Sequence, residues 1–452
     1  MNKIKAMDLG TQKVPGLFRK YFIPTLLGML SMSTVAAVEG SFIGHGIGSD
    51  GLAAINLCMP LLMLFTGIGL MAGTGASVIS SILLSKGKLK AARINSSQAI
   101  LAVTLTAILP SILMMAFPSA TAQLLGASPH LTPLVREYLL WFVPSLMFQM
   151  WCSVSLFLIR LDGAPRMAML CNVIAATLSV LLGWLFIIQF KWGLMGAGLA
   201  YTISLFIGGG IGIIYLAGFA KKLKIHSLKY RMKDLRLGLN NVAEQCRIGS
   251  SALLTEATLA TFIFVGNWIF MKYLGDNGVG AFGIACYYIP FVYMAGNAVA
   301  QSAQPIISFN FGLGYHTRVT EAERIALITG AVGGLLLTGI FTFFPHALVG
   351  LFINTDNPAA RLAIEGFPYF SAAFVFFIIN LCIIGYYQSI ERVKPATILA
   401  LLRGFIFLIP CFIFLPQLLG TPGIWLALFL SEALTVLMTV IIYRIHIFKT
   451  NK

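Results

Sequence analysis

The sequence predicts an all-α polytopic membrane protein: twelve transmembrane helices in two six-helix lobes, related as a parallel repeat around a central cavity. Three observations predict it: an apolar composition, twelve apolar runs long enough to span a bilayer, and a set of residues that recurs in the second half of the chain. The 452 residues are 58% hydrophobic and only 10% charged, with a mean hydropathy of +0.89. A soluble domain carries roughly 25% charged residues, so this chain could not cover a water-facing surface. Disordered, coiled-coil and collagen-like classes fail as well, because apolar residues dominate and no short repeat occurs.

A helix crossing about 30 Å of hydrocarbon needs about 20 apolar residues. Such runs fall at about 18–43, 52–84, 95–117, 133–159, 167–189, 195–219, 241–273, 279–310, 322–345, 360–389, 395–415 and 423–447. None alternates with a period of two and all are too long for barrel strands, so they read as helices. The first holds Pro24 and Glu39 and lacks a small-residue cleavage site, which makes it a span and not a signal peptide.

Orientation follows from the basic residues. With the N-terminus inside, 27 of the 31 Lys and Arg fall on inner segments or nearby helix ends. Arg136, Lys191, Lys272 and Arg361 fall outside. Both termini are therefore expected in the cytoplasm, with the chain in an inner or plasma membrane. The net charge of +16 is then an orientation signal, and no nucleic-acid partner is expected. The longest basic stretch, Lys221 to Arg236, reads first as an inner linker and only second as an anionic-lipid contact. It separates an N-terminal lobe at 1–220 from a C-terminal lobe at 241–452, with the linker at 221–240. Seven scattered cysteines without a CxxC, and six histidines without ligand spacing, indicate neither a disulfide framework nor a metal site. No cofactor is expected.

The two halves carry matching residues. Gly48-Ser-Asp-Gly51 corresponds to Gly275-Asp-Asn-Gly278 at an offset of 227, and Pro60 to Pro290 and Pro165 to Pro395 at 230. Gly193, Gly196, Ala200 and Ser204 correspond to Gly420, Gly423, Ala427 and Ser431, again at 227. A nearly constant offset across separate regions points to duplication. Each half has an even number of spans, so both enter the membrane in the same sense, as a parallel repeat does.

Intramembrane charge is costly and marks function. Of 15 acids, seven sit in inner segments and five in or beside outer loops, which leaves Glu39, Glu256 and Glu432 within spans one, seven and twelve. No Lys or Arg stands at comparable depth, Arg403 being nearest, so an intramembrane ion pair is not expected. A carboxyl without a counter-charge avoids the cost of burial by holding a proton, so these three are the candidate ion-coupling residues. The competing reading is a protonated Glu bonded to a neighbouring helix. Tyr293, Asn297, Gln301, Gln304 and Ser308 share one helical face of span eight, which either lines a wet cavity or joins helices. The cavity is the favoured reading. Asn267, three turns from Glu256, and Asn380, Tyr387 and Gln388 in span ten extend it. No GxxxxGK[ST] or catalytic constellation occurs, so an enzyme is not expected and an ion gradient is the energy source for active transport.

These residues resemble the multidrug and toxic compound extrusion family, over essentially the whole chain. The similar stretches are Val38-Glu-Gly-Ser-Phe-Ile-Gly44, Asp162-Gly-Ala-Pro-Arg166, Gly193-Leu-Met-Gly-Ala-Gly-Leu-Ala-Tyr-Thr-Ile-Ser204, and Gln304-Pro-Ile-Ile-Ser-Phe-Asn-Phe-Gly312 followed by Arg318. The resemblance implies two six-helix lobes and export of organic cations or toxic compounds against H⁺ or Na⁺, by a monomer working on small, cationic amphipathic molecules in a lipid bilayer. It places Glu39 at the family's span-one acid, usually Asp, and Glu256 near its span-seven acids. Ser179 and Gly183 stand where many members carry Asn and Asp. Na⁺ prefers several hard oxygen ligands, so this departure favours H⁺ as the coupling ion, with Na⁺ as the alternative. A flippase for a lipid-linked anionic precursor would want a basic cavity, whereas the deep charges here are acidic. An integral membrane enzyme or a passive channel is the reading from another class.

Overall fold

The computed structural model describes residues 9–47, 49–127, 129–226 and 232–450. Gly48, residues 227–231 of the basic linker and both extreme termini lie outside them. All regular structure among the described residues is helical. In the first half, α1 is Val14–Gly46, α2 Ser49–Ser85, α3 Leu89–Ala116 and α4 Pro118–Leu124. They are followed by α5 (Thr132–Leu161), α6 (Pro165–Gly183) and α7 (Gly193–Ile214). In the second half, α8 is Met232–Gly312, α9 His316–Phe343, α10 Pro345–Gly350, α11 Pro358–Ser371 and α12 Ala373–Ser389. The chain ends with α13 (Val393–Leu401), α14 (Leu408–Leu419) and α15 (Thr421–Thr450).

Each of the twelve predicted runs coincides with one of these helices or a contiguous set of them. Among the described residues, ten helical segments, the two arms of α8 counted separately, are long and apolar enough to cross a membrane, and eleven if the pair α11 and α12, bent by 44°, counts as one span. Spans seven and eight form the single path of α8, broken only where Gly275 takes φ 62° and ψ −155°. A side chain there would crowd its own backbone, so glycine sets the break. Wider π turns follow α6 (Trp184–Gln189) and α7 (Tyr215–Phe219) and join α13 to α14 (Leu402–Ile406). Such turns release a backbone carbonyl from the regular ladder and often mark functional positions.

The duplication is visible in the backbone. Gly87 and Gly314 both take positive φ, as do Gly193 and Gly420, and each pair is 227 residues apart. The short helices α4 and α10 begin at Pro118 and Pro345, at the same offset, each after a Phe with φ −125°.

The chain divides into two compact units. The first comprises Met1–Leu253, Gln304–Val319 and Gln388–Glu391, so it takes in the ends of several second-half helices. Its packing depends on small residues. A Cβ on Gly69 would stand 3.1 Å from the Met150 Cα of α5, and one on Gly209 of α7 would stand 3.0 Å from the Phe148 carbonyl. The closest fit joins α2 to the start of α8: a Cβ on Gly75 would overlap the Gln245 carbonyl, and one on Gly249 would overlap the Met71 carbonyl. Backbones this close gain van der Waals contact, which holds helices together where lipid competes for apolar surface. Polar side chains complete the joint. Gln245 Nε2 donates to Asn95 Oδ1 at 2.8 Å, and Asn95 Nδ2 donates to Ser80 Oγ at 2.9 Å and the Ala76 carbonyl at 3.1 Å. At the end of α5, Asp162 accepts the amides of Lys221, Lys222 and Leu223 and the Tyr215 hydroxyl, which pins the start of the linker.

The second unit comprises Leu254–Ala303, Thr320–Tyr387 and Arg392–Lys452. Its core is aromatic. Phe270 stacks on Phe282 at 4.5 Å and meets Trp425 edge-on at 4.7 Å, and Phe262, Phe370 and Phe412 extend the cluster. Gly266 and Gly366 make room for it, since a Cβ on either would overlap Phe282 or Trp425. Outside both cores, Leu105, Leu109 and Ile112 of α3 and Leu335 and Leu336 of α9 are exposed, as lipid-facing residues should be.

Gly75→Ala or Gly249→Ala should lower stability in detergent by about 1–3 kcal/mol, the usual cost of overpacking. Gly210→Ala, where a Cβ meets nothing within 4 Å, should not. Thermal unfolding of the three purified variants checks this.

Candidate functional site: buried carboxyls in two units

In the first unit, α1 packs along α6 and brings Glu39 to Ser179, whose hydroxyl donates to Glu39 Oε1. Tyr138 of α5 and Tyr201 of α7 lie close enough to feel the Glu39 charge. One turn beyond Ser179, the Phe42 ring lies against Gly183, where a Cβ would already stand 3.5 Å from its Cδ2. Glu39, one methylene longer than Asp, reaches Ser179 directly.

In the second unit, the two arms of α8 face each other across the Gly275 break. Tyr293 Oη donates to Glu256 Oε1 at 2.6 Å, with both side chains buried. Asn297, one turn on, bonds the Tyr293 hydroxyl in turn. Thr258 abuts Gly404, where a Cβ would overlap its hydroxyl, so the π turn at Leu402–Ile406 runs against α8 near Glu256.

That π turn carries Arg403, and here the structure corrects the sequence reading. Glu432 is not a carboxyl without a counter-charge. Its Oε1 accepts from Arg403 Nη2 at 2.7 Å and Nε at 3.1 Å, and both side chains are 0% exposed. Asn380 Nδ2 donates to the other oxygen at 2.6 Å and to the Glu432 carbonyl at 3.0 Å. The Arg403 guanidinium lies 4.4 Å over the Phe377 ring, which meets Tyr293 edge-on. The residues stand 29 apart in sequence. Only the packing of α15 against the π turn between α13 and α14 shows that two separate apolar runs bring them together.

The predicted polar stripe divides between the units. Tyr293, Asn297 and Gln301 belong to the second, the last two half-buried. Gln304 belongs to the first, where its Nε2 donates to the Thr74 carbonyl at 3.4 Å. Gln388 also lies there and donates to Ser251 Oγ at 2.8 Å. Asn267 is half-buried on the Glu256 arm of α8, and Tyr387 is buried with its ring against Tyr386. Two features escaped the sequence: the Asn95–Gln245 joint, whose members are polar residues near span ends, and Tyr138 and Tyr201, which read as ordinary aromatic residues.

Hydroxyl-held carboxyls inside the helices of each compact unit, Glu256 buried and Glu39 half-buried, fit a membrane transporter. The family profile described as MatE matches this chain twice, over residues 24–185 and 252–413, with starts 228 residues apart. The chain belongs to the MatE family. The multidrug export protein MepA of Staphylococcus aureus (strain NCTC 8325 / PS 47) is 24% identical over 427 residues, covering 93% of this chain and 92% of that protein. A MepA from Staphylococcus saprophyticus is 23% identical over the same length. Among solved structures, a mutant of the Vibrio cholerae MATE transporter VcmN superposes with a TM-score of 0.87 at 19% identity, covering 96% of this chain and 97% of that one. An outward-facing multidrug resistance MATE family transporter gives 0.89 at 17% identity, with 100% of each chain covered.

Removing one partner of a buried ion pair costs about 3–5 kcal/mol, whereas replacing both with apolar residues is often neutral. Arg403→Met and Glu432→Leu alone should therefore each lower folded yield and melting temperature, and the double variant should recover both.

Proposed function

We propose that the chain is a secondary active exporter of small, cationic amphipathic compounds in exchange for protons, by alternating access, with both termini on the cytoplasmic side. Each of Glu39 and Glu256 is held by a hydroxyl: Ser179 for one, Tyr293 for the other. That observation carries the reading. A hydroxyl donates to an ionised carboxylate and can turn to accept from a protonated one, so the proton can come and go without stranding a buried polar atom. A guanidinium can only donate, and it fixes its partner as a carboxylate, which removes Glu432 from the coupling set.

Proton binding at Glu39 and Glu256 from outside weakens the hold on a cation and releases it. Loss of the protons to the inside restores the site. Such exchange works only because proton and substrate have different affinities for the two states. Around Glu39 the hydroxyl of Ser179 and the absent side chain at Gly183 leave few hard oxygens for Na⁺. The MepA relatives are named for multidrug export, which supports a broad range of drug-like substrates here. The excess of Lys and Arg on one set of loops supports the orientation.

Efflux of a fluorescent organic cation from proteoliposomes under an imposed pH gradient tests the reading. Glu39→Gln and Glu256→Gln should each fall to the rate of empty liposomes. Tyr293→Phe loses one hydrogen bond to a charged group, worth about 1.5–3 kcal/mol, so its transport should drop by roughly tenfold or more. Wild-type efflux driven by a Na⁺ gradient alone, with no response to pH, would overturn the choice of ion.

A further inference from the structure

The stretch Gln304–Gly312, with Arg318 beyond it, takes no part in holding the coupling carboxyls. Its polar side chains converge instead on the segment ahead of α1. Asn310 is completely buried, and its Nδ2 donates to the Leu9 carbonyl at 3.0 Å and to the Ile306 carbonyl at 2.8 Å. Arg318, in the first turn of α9, donates through Nη2 to the carbonyls of Gln12 at 2.7 Å and Leu9 at 3.0 Å. Its Nε donates to Asn310 Oδ1 at 2.8 Å. One planar guanidinium thus joins three elements: the chain entering α1, the end of α8 and the start of α9. Lysine could not do this, because its ammonium lacks the fixed fork. The accepting groups are backbone carbonyls, so the grip does not depend on which side chains stand at 9–12. Beneath it, Leu9, Val14 and Leu17 are buried.

The same end of the molecule carries the other close contacts of second-half helices with α2 and α3. Gln304 reaches Thr74, Gln245 reaches Asn95, and Gly75 and Gly249 interlock α2 with α8. A Cβ on Gly312 would stand 3.1 Å from the Ile82 Cα. These contacts are short-range and mostly backbone to backbone, so they form or separate together.

We propose that Arg318 and Asn310 form a latch that keeps the basic, N-terminal end of the transporter closed by fastening the start of α1 to the turn between α8 and α9. The proposal rests on the alternating-access reading above. Opening this end requires residues 304–319 to leave Leu9–Gln12 and the inner part of α2, and the Arg318 bonds must break for that. Because α1 also carries Glu39, the segment held by the latch runs directly into the helix of a coupling carboxyl. Loss of the latch shifts the population toward the state open at this end, rather than merely loosening the N-terminal segment.

Hydrogen–deuterium exchange on the purified full-length protein, with no substrate or gradient, separates the two. In Arg318→Ala and Asn310→Ala, uptake should rise several-fold in peptides covering 9–17 and also in those covering 71–85 and 245–253, which lack any bond to Arg318. Peptides covering 358–370, in the second unit, should not gain exchange. A rise confined to 9–17 and 306–318 would make Arg318 a local pin and overturn the latch. If the alanine variants do not fold, Arg318→Lys, which keeps the charge and loses the fork, should show the same remote pattern at smaller amplitude, and its absence there counts equally against the latch. Failure of pH-driven efflux in the wild type would sink the proton-exchange reading alone, because deuterium uptake is measured without it.

Discussion

A buried carboxyl in hydrocarbon has no water to fall back on, and much of this structure follows from which partner each one is given. The three carboxyls singled out in the apolar runs, Glu39, Glu256 and Glu432, are treated in two ways. Glu432 is locked by Arg403 and Asn380 into a neutral, fully buried cluster that ties α12, α15 and the π turn together. Glu39 and Glu256 are each met by one hydroxyl, a partner that fits either protonation state. The first arrangement stabilises one state of the protein. The second is what the proposed proton exchange calls for, since each carboxyl must both gain and lose a proton.

The repeat is not the source of the two hydroxyl-held carboxyls, one in each unit. It does not copy them, because Glu39 lies on the first helix of its half with its donor on α6, while Glu256 and Tyr293 lie on the two arms of α8. What the halves share is punctuation: the left-handed glycines and the Pro-started short helices recur at 227 residues. Backbone breaks place the spans, and the chemistry was then distributed differently over the same frame.

Most of the fold was legible before any coordinates, since apolar run length, glycine and proline are local signals and the bilayer imposes one thickness on every span. Glu39 and Glu256 were legible as candidates too, because isolated acids in apolar runs stand out. The partners were not. Arg403 reads as an inner-end residue of span eleven, and only the π turn and the packing of α15 bring it to Glu432. Gln304 and Gln388 share a helical period with the other residues of the predicted polar faces, yet they bond Thr74 and Ser251 inside the first unit. Periodicity identifies a polar face but not what that face meets, because a wet cavity and a neighbouring helix satisfy an amide equally well. Ser179 looked like a lost ligand by comparison with the family's usual Asn. In three dimensions it is the donor that the longer Glu39 side chain reaches.

The central claim is that substrate and proton compete through Glu39 and Glu256. Proton release on binding of an organic cation to purified protein, in weakly buffered solution, measures this most directly. The account predicts that wild-type protein releases protons as it takes up the cation, that the Glu39→Gln, Glu256→Gln double variant releases none, and that Na⁺ changes neither. Undiminished proton release from the double variant, or cation binding that displaces Na⁺ and no proton from the wild type, would contradict it.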